Sequence, residues 1–220
     1  MTLTYPVHAV WTDFGGVLTP PTRVTLEDFC LRVGVAPDLL LAAMRTVGDS
    51  YGTDPMAPLD TPLVAEETWA RQVETVLAER YGVVADLSRF GERWFAGRPA
   101  NQSWVRWLRR ARRKGVFVGM LSNMVPSWDA QWRRMVPADG TFDDVVMSFE
   151  VGHRKPDPEI FHLAAARAGV PAGECLLVDD LPENCAGARA AGWQAVEFTG
   201  TDEAVALLEP VIARRQRVAT

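Results

Sequence analysis

Polar side chains follow short apolar runs at four places along the chain, where buried strands of a parallel sheet are expected to end. They are Asp13, the pair Ser122 and Asn123, Lys155 in the segment after the third run, and the pair Asp179 and Asp180. Each alone could be a turn or helix-cap residue. Because ligands bind at the carboxyl ends of strands in an open parallel sheet, we expect the four positions to converge at one edge. A carboxylate there can act as a nucleophile, and a hydroxyl and an ammonium group can bind an anion.

The elements that must position these residues alternate between strand and helix. Short apolar runs predict strands over residues 7–11, 116–121, 145–149, 175–178 and 194–198. Helical spacing between them predicts helices over residues 104–114, 126–135, 158–168 and 182–191. Asp157 is expected at the N-cap of the third of these helices and Pro158 at its first position. This alternation predicts an α/β fold with a doubly wound parallel sheet of the Rossmann-like kind.

The segment between the first two predicted strands has a different pattern. Apolar residues recur at helical spacing over much of residues 25–95, interrupted by a loop rich in Gly, Pro and Asp at 48–62, and no strand is indicated. We therefore expect a core domain formed by residues 1–20 and 96–220. A helical cap domain, residues 21–95, would be inserted after the first strand.

The composition argues against several classes of protein. A net charge of −5 disfavours a protein that coats nucleic acid, and the basic run at 106–114 lies on an amphipathic helix as a solvated face. No apolar run approaches the roughly 20 residues that span a membrane, and residues 1–8 do not resemble a signal peptide. We expect a cytoplasmic protein without a nucleic-acid or membrane partner. The cysteines are odd in number and lack C-x-x-C spacing, which predicts buried thiols at Cys30, Cys175 and Cys185.

In order and spacing, the four polar segments resemble the four motifs of the haloacid dehalogenase (HAD) superfamily. Residues 13–19, DFGGVLT, are similar to the first motif and Ser122-Asn123 to the second. Residues 155–161, KPDPEIF, are similar to the third motif and residues 179–184, DDLPEN, to the fourth. The helical insertion resembles the small C1-type cap of this superfamily. The whole pattern is similar to HAD-like phosphatases and to the phosphatase domain of soluble epoxide hydrolase.

The resemblance implies a Mg²⁺-dependent enzyme with a nucleophilic carboxylate. Asp13 would attack phosphorus and would also bind Mg²⁺, together with Asp180 and the backbone carbonyl of Gly15. Asp179 would hold a metal-coordinated water. Mg²⁺ prefers hard oxygen ligands and keeps several waters, which suits this set of residues.

The resemblance also implies where a phosphoryl group would bind. Ser122, Asn123 and Lys155 would contact the oxygens of the transferring group, and Lys155 would offset the charge of both nucleophile and phosphate. Phosphoryl transfer is catalysed mainly by positioning and by stabilisation of negative charge. A small phosphorylated metabolite is the implied substrate.

Gly15 departs from the pattern of most phosphatases in the superfamily. They carry a second aspartate at this position, which protonates the leaving oxygen and then activates water. A glycine keeps the backbone carbonyl for the metal but supplies no general acid or base. Removal of such a group typically costs about 10²–10⁴-fold in rate.

Three alternatives follow from Gly15. A phosphatase is favoured, because relatives with a glycine here include phosphatases. A dehalogenase needs no leaving-group acid, but such relatives lack the acidic pair that Asp179 and Asp180 form. A binding or regulatory protein without turnover is the third alternative. A phosphonate-cleaving enzyme would need a lysine in the cap, and residues 20–100 contain none.

Other residues are weaker candidates. His153 is a candidate substitute for the missing acid–base, although a plain loop histidine is the simpler interpretation. Asn184 could order the metal loop or stabilise the first turn of a helix. Five arginines of the insertion are candidate anion contacts but are expected to be mostly solvated: Arg23, Arg45, Arg71, Arg89 and Arg93. Three tryptophans could line a pocket, but their helical spacing favours a core position: Trp69, Trp94 and Trp128.

Overall fold

The fold was analysed in a computed structural model that describes residues 3–4 and 6–213. Five strands form one sheet in the order β3-β2-β1-β4-β5, and every neighbouring pair is parallel. The strands are β1 (Ala9–Thr12), β2 (Phe117–Ser122), β3 (Asp144–Met147), β4 (Cys175–Asp179) and β5 (Gln194–Glu197). Together with the helices that connect them, they confirm the predicted α/β class with a Rossmann-like, doubly wound sheet.

The central strand β1 is buried along its whole length, as its apolar sequence requires. Trp11 on β1 pairs in register with Gly119 on β2. A Cβ at Gly119 would lie 2.3 Å from the Trp11 ring, so only glycine leaves room for the indole. That ring packs against Phe117 and Trp193 at centroid distances of 5.3 and 6.3 Å. The aromatic contacts hold the centre of the sheet in one register.

The helices of the structure fall into two groups along the chain. The first group follows β1 and comprises α1 (Thr22–Val33), α2 (Pro37–Ser50), α3 (Ala57–Asp60), α4 (Glu66–Tyr81) and α5 (Phe90–Phe95). The second group connects and follows the remaining strands. It comprises α6 (Gln102–Arg113), α7 (Asp129–Met135), α8 (Ser148–Val151), α9 (Pro158–Ala168), α10 (Pro182–Ala190) and α11 (Thr201–Leu208).

Helix α9 begins where it was expected, whereas strand β3 ends earlier than expected. Asp157 is the N-cap of α9 and Pro158 opens that helix, as predicted, although the Asp157 side chain makes no capping hydrogen bond. The third strand was predicted two residues too far, because Ser148 and Phe149 begin α8. This helical turn ends at Gly152, which adopts φ +71°. The apolar character of Phe149 continued the strand pattern, whereas the glycine C-cap favours a turn.

The chain divides into two compact units. The core unit contains the residues up to Pro21, Pro99–Asn123, and the residues from Met135 onward. The inserted unit contains Thr22–Arg98 and Met124–Arg134. The second segment of the inserted unit differs from the expected domain boundaries, which assigned it to the core. It had been predicted as a helix that connects two strands.

Aromatic packing explains why that segment belongs to the inserted unit. The Trp128 ring stacks on Phe90 at a centroid distance of 6.2 Å and on Trp94 at 6.2 Å, and it meets Phe95 edge-on at 5.6 Å. The Ser127 hydroxyl donates to the Glu66 carboxylate. These contacts join residues that are 33 to 61 positions apart in sequence, so local periodicity could not reveal them.

Two further predictions concern the cysteines and the basic run of the sequence. The three cysteines are free thiols in buried positions, as predicted. On α6, Trp104, Trp107 and Leu108 are buried while Arg106 and Arg110 are exposed, which confirms a solvated basic face. Within residues 3–4 and 6–213, no helix combines the length and apolar character that a bilayer crossing requires.

Candidate active site

The four predicted polar segments meet at the carboxyl edge of the sheet in the core unit. Thr12, the last residue of β1, is level with Met120 on β2 and with Val178 on β4. This register places Asp13, the end of β2 and the end of β4 at one edge. Lys155 lies in the loop after α8. Its side chain contacts Asp13 and Asp179 at the same edge.

Lys155 lies between two carboxylates in the interior. Its side chain is 1% exposed, and its Nζ lies 2.7 Å from Asp13 Oδ1 and 2.5 Å from Asp179 Oδ2. Burial disfavours the charged form, but the attraction of Asp13 and Asp179 outweighs it and raises the pKa of Lys155. The lysine is therefore a fixed positive charge beside the Asp13 carboxylate.

Asn123 holds the main chain of Lys155 in place. Its Nδ2 donates to the Lys155 carbonyl oxygen at 2.8 Å, and its Oδ1 accepts from the Lys155 N–H at 2.8 Å. This two-way contact uses the amide oxygen and one of the two N–H donors of the side chain. Asn123 therefore has a positioning role, and its predicted phosphate contact, through the side chain or the peptide N–H, stays a prediction.

Asp179 has the same kind of positioning contacts. The side chain is fully buried, with Oδ2 bound to Lys155 and Oδ1 accepting from Leu181 N–H and Asn184 Nδ2, both at 3.0 Å. Asn184 thus lies in the first turn of α10 and also orders the acidic loop, so both sequence interpretations describe it. The direct partner of Asp179 is Lys155, a contact that the sequence pattern did not indicate.

Three carboxylates crowd around one lysine at this edge. Asp13, Asp179 and Asp180 each offer an oxygen, and these oxygens lie within 4.8 Å of one another. Burial raises the pKa of Asp180 to about 7, and the charges of Asp13 and Asp179 add to the effect. Burial also raises the pKa of Asp13, partly offset by Lys155. The set carries more negative charge than Lys155 can balance, and hard oxygen donors of this kind suit a divalent cation.

The profile of the haloacid dehalogenase-like hydrolase family matches residues 7–192. This chain belongs to that family. It is 35% identical over 204 residues to a phosphoserine phosphatase of Thermus thermophilus, covering 80% of this chain and 81% of that protein. It is 34% identical over 194 residues to a phosphatase of Mycobacterium tuberculosis, covering 86% of each.

Solved structures of HAD-family enzymes share the fold of this HAD-like hydrolase. One is a wild-type enzyme of Bacteroides thetaiotaomicron in complex with magnesium and inorganic phosphate. The TM-score is 0.61 at 19% identity, and the match covers 86% of this chain and 93% of the other. At this level of identity the likeness concerns the fold alone.

The HAD-like hydrolase has a tight backbone turn directly after Asp13. This segment, the Asp13 turn (residues 13–18), is closed by a hydrogen bond from Leu18 N–H to Phe14 O at 3.0 Å. Gly16 adopts φ +72°, and a Cβ there would lie 1.9 Å from Asp180 Oδ2. Only glycine permits this close approach of the turn to the Asp180 carboxylate. Gly16 is a site residue that sequence reasoning missed, and the Gly-Gly pair was the available signal.

A pocket of about 450 Å³ opens beside Asp180 in the core unit. Its size lies within the range of small-molecule sites. Only Asp180 among its lining residues was predicted as a metal ligand or catalytic group. The lining residues are Gly16, Thr19, Pro20, Pro21, Pro99, Ala100, Asn101, Asp180, Phe198 and Thr199.

The weaker candidates of the HAD-like hydrolase have ordinary structural surroundings. His153 is exposed, two residues before Lys155, and its catalytic role stays a prediction. Trp69 is fully buried and meets Phe90 edge-on at a centroid distance of 5.3 Å. Trp94 and Trp128 stack in the same aromatic cluster, in which Trp128 is buried and Trp94 is partly exposed. Four of the five arginines contact nearby side chains: Arg23 with Glu27, Arg71 with Thr68, Arg89 with Glu92, and Arg93 with Asp86.

Proposed function

We propose that this HAD-like hydrolase is a Mg²⁺-dependent phosphatase that hydrolyses a small phosphorylated metabolite through an aspartyl-phosphate on Asp13. One observation carries the proposal. The Asp13 carboxylate lies 2.7 Å from the buried ammonium of Lys155, at an edge shared with Asp179 and Asp180. A charged nucleophile with a fixed cation beside it is what attack on phosphorus requires. The two relatives named as phosphatases support this choice.

The acidic set fits a Mg²⁺ ion. Asp13, Asp180 and the backbone carbonyl of Gly15 would hold it, and Asp179 would orient a coordinated water. The pKa of Asp180 is raised to about 7 by burial and by the charges of Asp13 and Asp179, and a divalent cation would favour its charged form. When bound, Mg²⁺ would neutralise negative charge on the phosphoryl oxygens.

The residues of the chain carry the two chemical steps. In the first step an Asp13 oxygen attacks phosphorus, the bond from phosphorus to the leaving oxygen breaks, and that oxygen keeps the electron pair. The Ser122 hydroxyl and the Asn123 peptide N–H donate to the phosphoryl oxygens, and Lys155 offsets their charge. In the second step water attacks phosphorus, loses a proton to solvent, and restores the Asp13 carboxylate with release of phosphate.

Gly15 determines which substrates suit this site. Position 15 offers no proton to the leaving oxygen, so a leaving group that is stable as an anion is favoured. We expect Gly15→Asp to increase turnover of an alkyl phosphate more than that of an aryl phosphate. Equal effects on the two substrates would show that another group already protonates the leaving oxygen.

A binding or regulatory protein without turnover is the second candidate, and Gly15 is the observation that favours it. A dehalogenase is a weaker candidate, because the acidic pair Asp179 and Asp180 serves no purpose in attack on carbon. Turnover that depends on metal and on Asp13 separates the phosphatase from both.

The test is phosphate release from p-nitrophenyl phosphate with and without Mg²⁺, measured for the wild type and for Asp13→Asn. Asp139→Asn is a matched control, since Asp139 is an exposed carboxylate of the core unit. We expect turnover in the wild type and in Asp139→Asn only with Mg²⁺, and none in Asp13→Asn. Activity retained by Asp13→Asn would remove the proposed nucleophile.

A further inference from the structure

A buried hydrogen-bond chain leads from the helix α6 to the peptide group of Asp13. Trp104 Nε1 donates to Thr12 Oγ1 at 3.0 Å, and Thr12 Oγ1 donates to the Asp13 carbonyl oxygen at 2.9 Å. Trp104 and Thr12 are both fully buried. On the other side of the same residue, Asp13 N–H donates to Val178 O on β4 at 2.8 Å. Asp13 is therefore fixed through its N–H and through its carbonyl.

The same end of α6 also holds the far end of the Asp13 turn. Asn101 is the N-cap of α6, and its Oδ1 accepts from Trp104 N–H at 3.1 Å. Asn101 Nδ2 donates to Val17 O at 3.0 Å, and Asn101 N–H donates to Leu18 O at 2.8 Å. One residue thus caps the helix that carries Trp104 with its side chain and binds Val17 and Leu18 with its side chain and its peptide N–H.

We propose that the first turn of α6 is a clamp on the Asp13 turn, with Trp104, Thr12 and Asn101 as positioning residues for the nucleophile. Trp104 and Thr12 orient the peptide group at the start of the turn, and Asn101 fixes its end. The inference rests on the proposed function, because the quantity that the clamp controls is attack by Asp13.

Small displacements explain why such a clamp matters. The Asp13 carboxylate must point at Lys155 while the peptide groups that follow it stay near Asp180. A misplacement of about 1 Å at a reacting group can cost about 10²-fold in rate. Hydroxyl and indole groups with both partners buried do not rearrange easily, since any alternative leaves a polar atom unsatisfied.

Trp107 provides a matched control on the same helix. Its indole is also buried, stacks on Trp104 at a centroid distance of 4.8 Å, and donates a hydrogen bond at 3.0 Å. The acceptor is Glu209, away from the Asp13 turn. Trp107→Phe therefore removes a comparable N–H donor, keeps an aromatic ring against Trp104, and leaves every hydrogen bond of the clamp in place.

The first experiment measures kcat and KM for p-nitrophenyl phosphate, with thermal unfolding of each variant. We expect Trp104→Phe and Thr12→Val each to lower kcat about tenfold with KM within about twofold, and Trp107→Phe to leave kcat unchanged. Thr12→Ser should recover most of the loss, since it keeps the hydroxyl. The double variant should lose little more than either single variant, because both break one chain.

Asn101→Asp separates clamping from helix capping. Aspartate still accepts at the N-cap but lacks the Nδ2 donor to Val17 O. We expect a lower kcat with the helix content of the wild type. A kcat equal to that of the wild type would remove Asn101 from the clamp.

The second experiment keeps the clamp testable if no turnover is found. Absence of Asp13-dependent turnover in the wild type would overturn the proposed function. The clamp would then be judged by hydrogen–deuterium exchange of the peptide that covers residues 13–19. The clamp requires faster exchange there in Trp104→Phe and Thr12→Val than in Trp107→Phe. Equal exchange and equal kcat in all three variants would overturn it.

Discussion

The two compact units differ in the charged side chains that they bury. In the core unit, Lys155 and Asp179 are buried in direct contact, and Asp13, the second partner of Lys155, is 8% exposed. In the inserted unit, the pairs Arg23–Glu27 and Arg89–Glu92 lie at the surface. The interior of the inserted unit is instead formed by aromatic and aliphatic side chains, with Asp60 as its one buried carboxylate among the described residues.

This difference supports the proposed location of the active site. Burial of a charge costs several kcal/mol, and an apolar replacement of a buried ion pair is often as stable or more stable. The inserted unit shows that the chain can form a compact interior mainly from aromatic contacts. The buried ions of the core unit therefore point to a catalytic requirement, since stability alone does not need them.

The largest expected effect comes from the only two lysines of the chain, Lys155 and Lys114. Lys155→Met leaves two buried carboxylates without their cation, and we expect a loss of about 3–5 kcal/mol in the free energy of unfolding. Lys114 pairs with Glu209 at the surface, so Lys114→Met should cost less than about 1 kcal/mol. Urea denaturation of both metal-free variants measures the difference. Similar losses in the free energy of unfolding would mean that the buried and the exposed lysine contribute equally to stability.

The next effect is a pH dependence of the metal-free protein. The pKa of Asp180 is about 7 in the folded protein, against a usual value of 3.8, because of burial and the nearby charges of Asp13 and Asp179. Between these values the folded state holds a proton that the unfolded state has lost. The free energy of unfolding should therefore fall as the pH rises from about 4 to about 7.

Asp180→Asn is the control for this effect. An amide does not titrate, so the variant should show a flatter stability profile over the same pH range, measured by urea denaturation with a chelator present. A raised pKa of Asp13 contributes with the same sign, and some slope should remain. Identical profiles for the wild type and the variant would exclude Asp180 as the source.

A smaller effect on stability is expected at Gly16, with Gly140 as its control. Both adopt a left-handed conformation, at φ +72° and +73°, and only Gly16 lies against another group, Asp180. Each substitution by alanine should cost about 1–2 kcal/mol for the backbone conformation. Gly16→Ala should also raise the Mg²⁺ concentration for half-maximal turnover by about 10–100-fold. If Gly140→Ala raises it equally, the approach of Gly16 to Asp180 has no role in metal binding.

The smallest effect is expected at an exposed ion pair of the inserted unit. Glu92 contacts Arg89 on the surface, and both side chains are at least half exposed. Glu92→Gln should leave the thermal midpoint within about one degree and leave kcat unchanged, because solvent screens such pairs. A large shift would mean that surface charge stabilises this unit and would weaken the contrast with the core.

Much of the core unit could be predicted from the sequence. Each strand is a short apolar run bounded by glycine or polar residues, and Asp13, Ser122, Lys155 and Asp180 follow such runs in the expected order. The parallel register then brings these residues to one edge. Local pattern was sufficient here because the spacing of apolar residues identifies the strands and helices. The candidate site residues then follow directly after strands.

The remainder depends on contacts between distant residues. Trp104 and Thr12 are 92 positions apart, and no local pattern pairs an indole with that hydroxyl. The sequence named Asn123 but could not show that its side-chain amide binds the backbone of Lys155. Trp128 packs on aromatic rings of α5, and these contacts explain why Met124–Arg134 belongs to the inserted unit.

The most direct test of the central claim is detection of the aspartyl-phosphate. The wild type is mixed with excess p-nitrophenyl phosphate and Mg²⁺, quenched in acid within the first turnover, and its peptides are analysed by mass spectrometry. We predict one phosphoryl group on the peptide that contains Asp13, and none in Asp13→Asn. Phosphate release by the wild type without that label, or a label on another residue, would contradict the account.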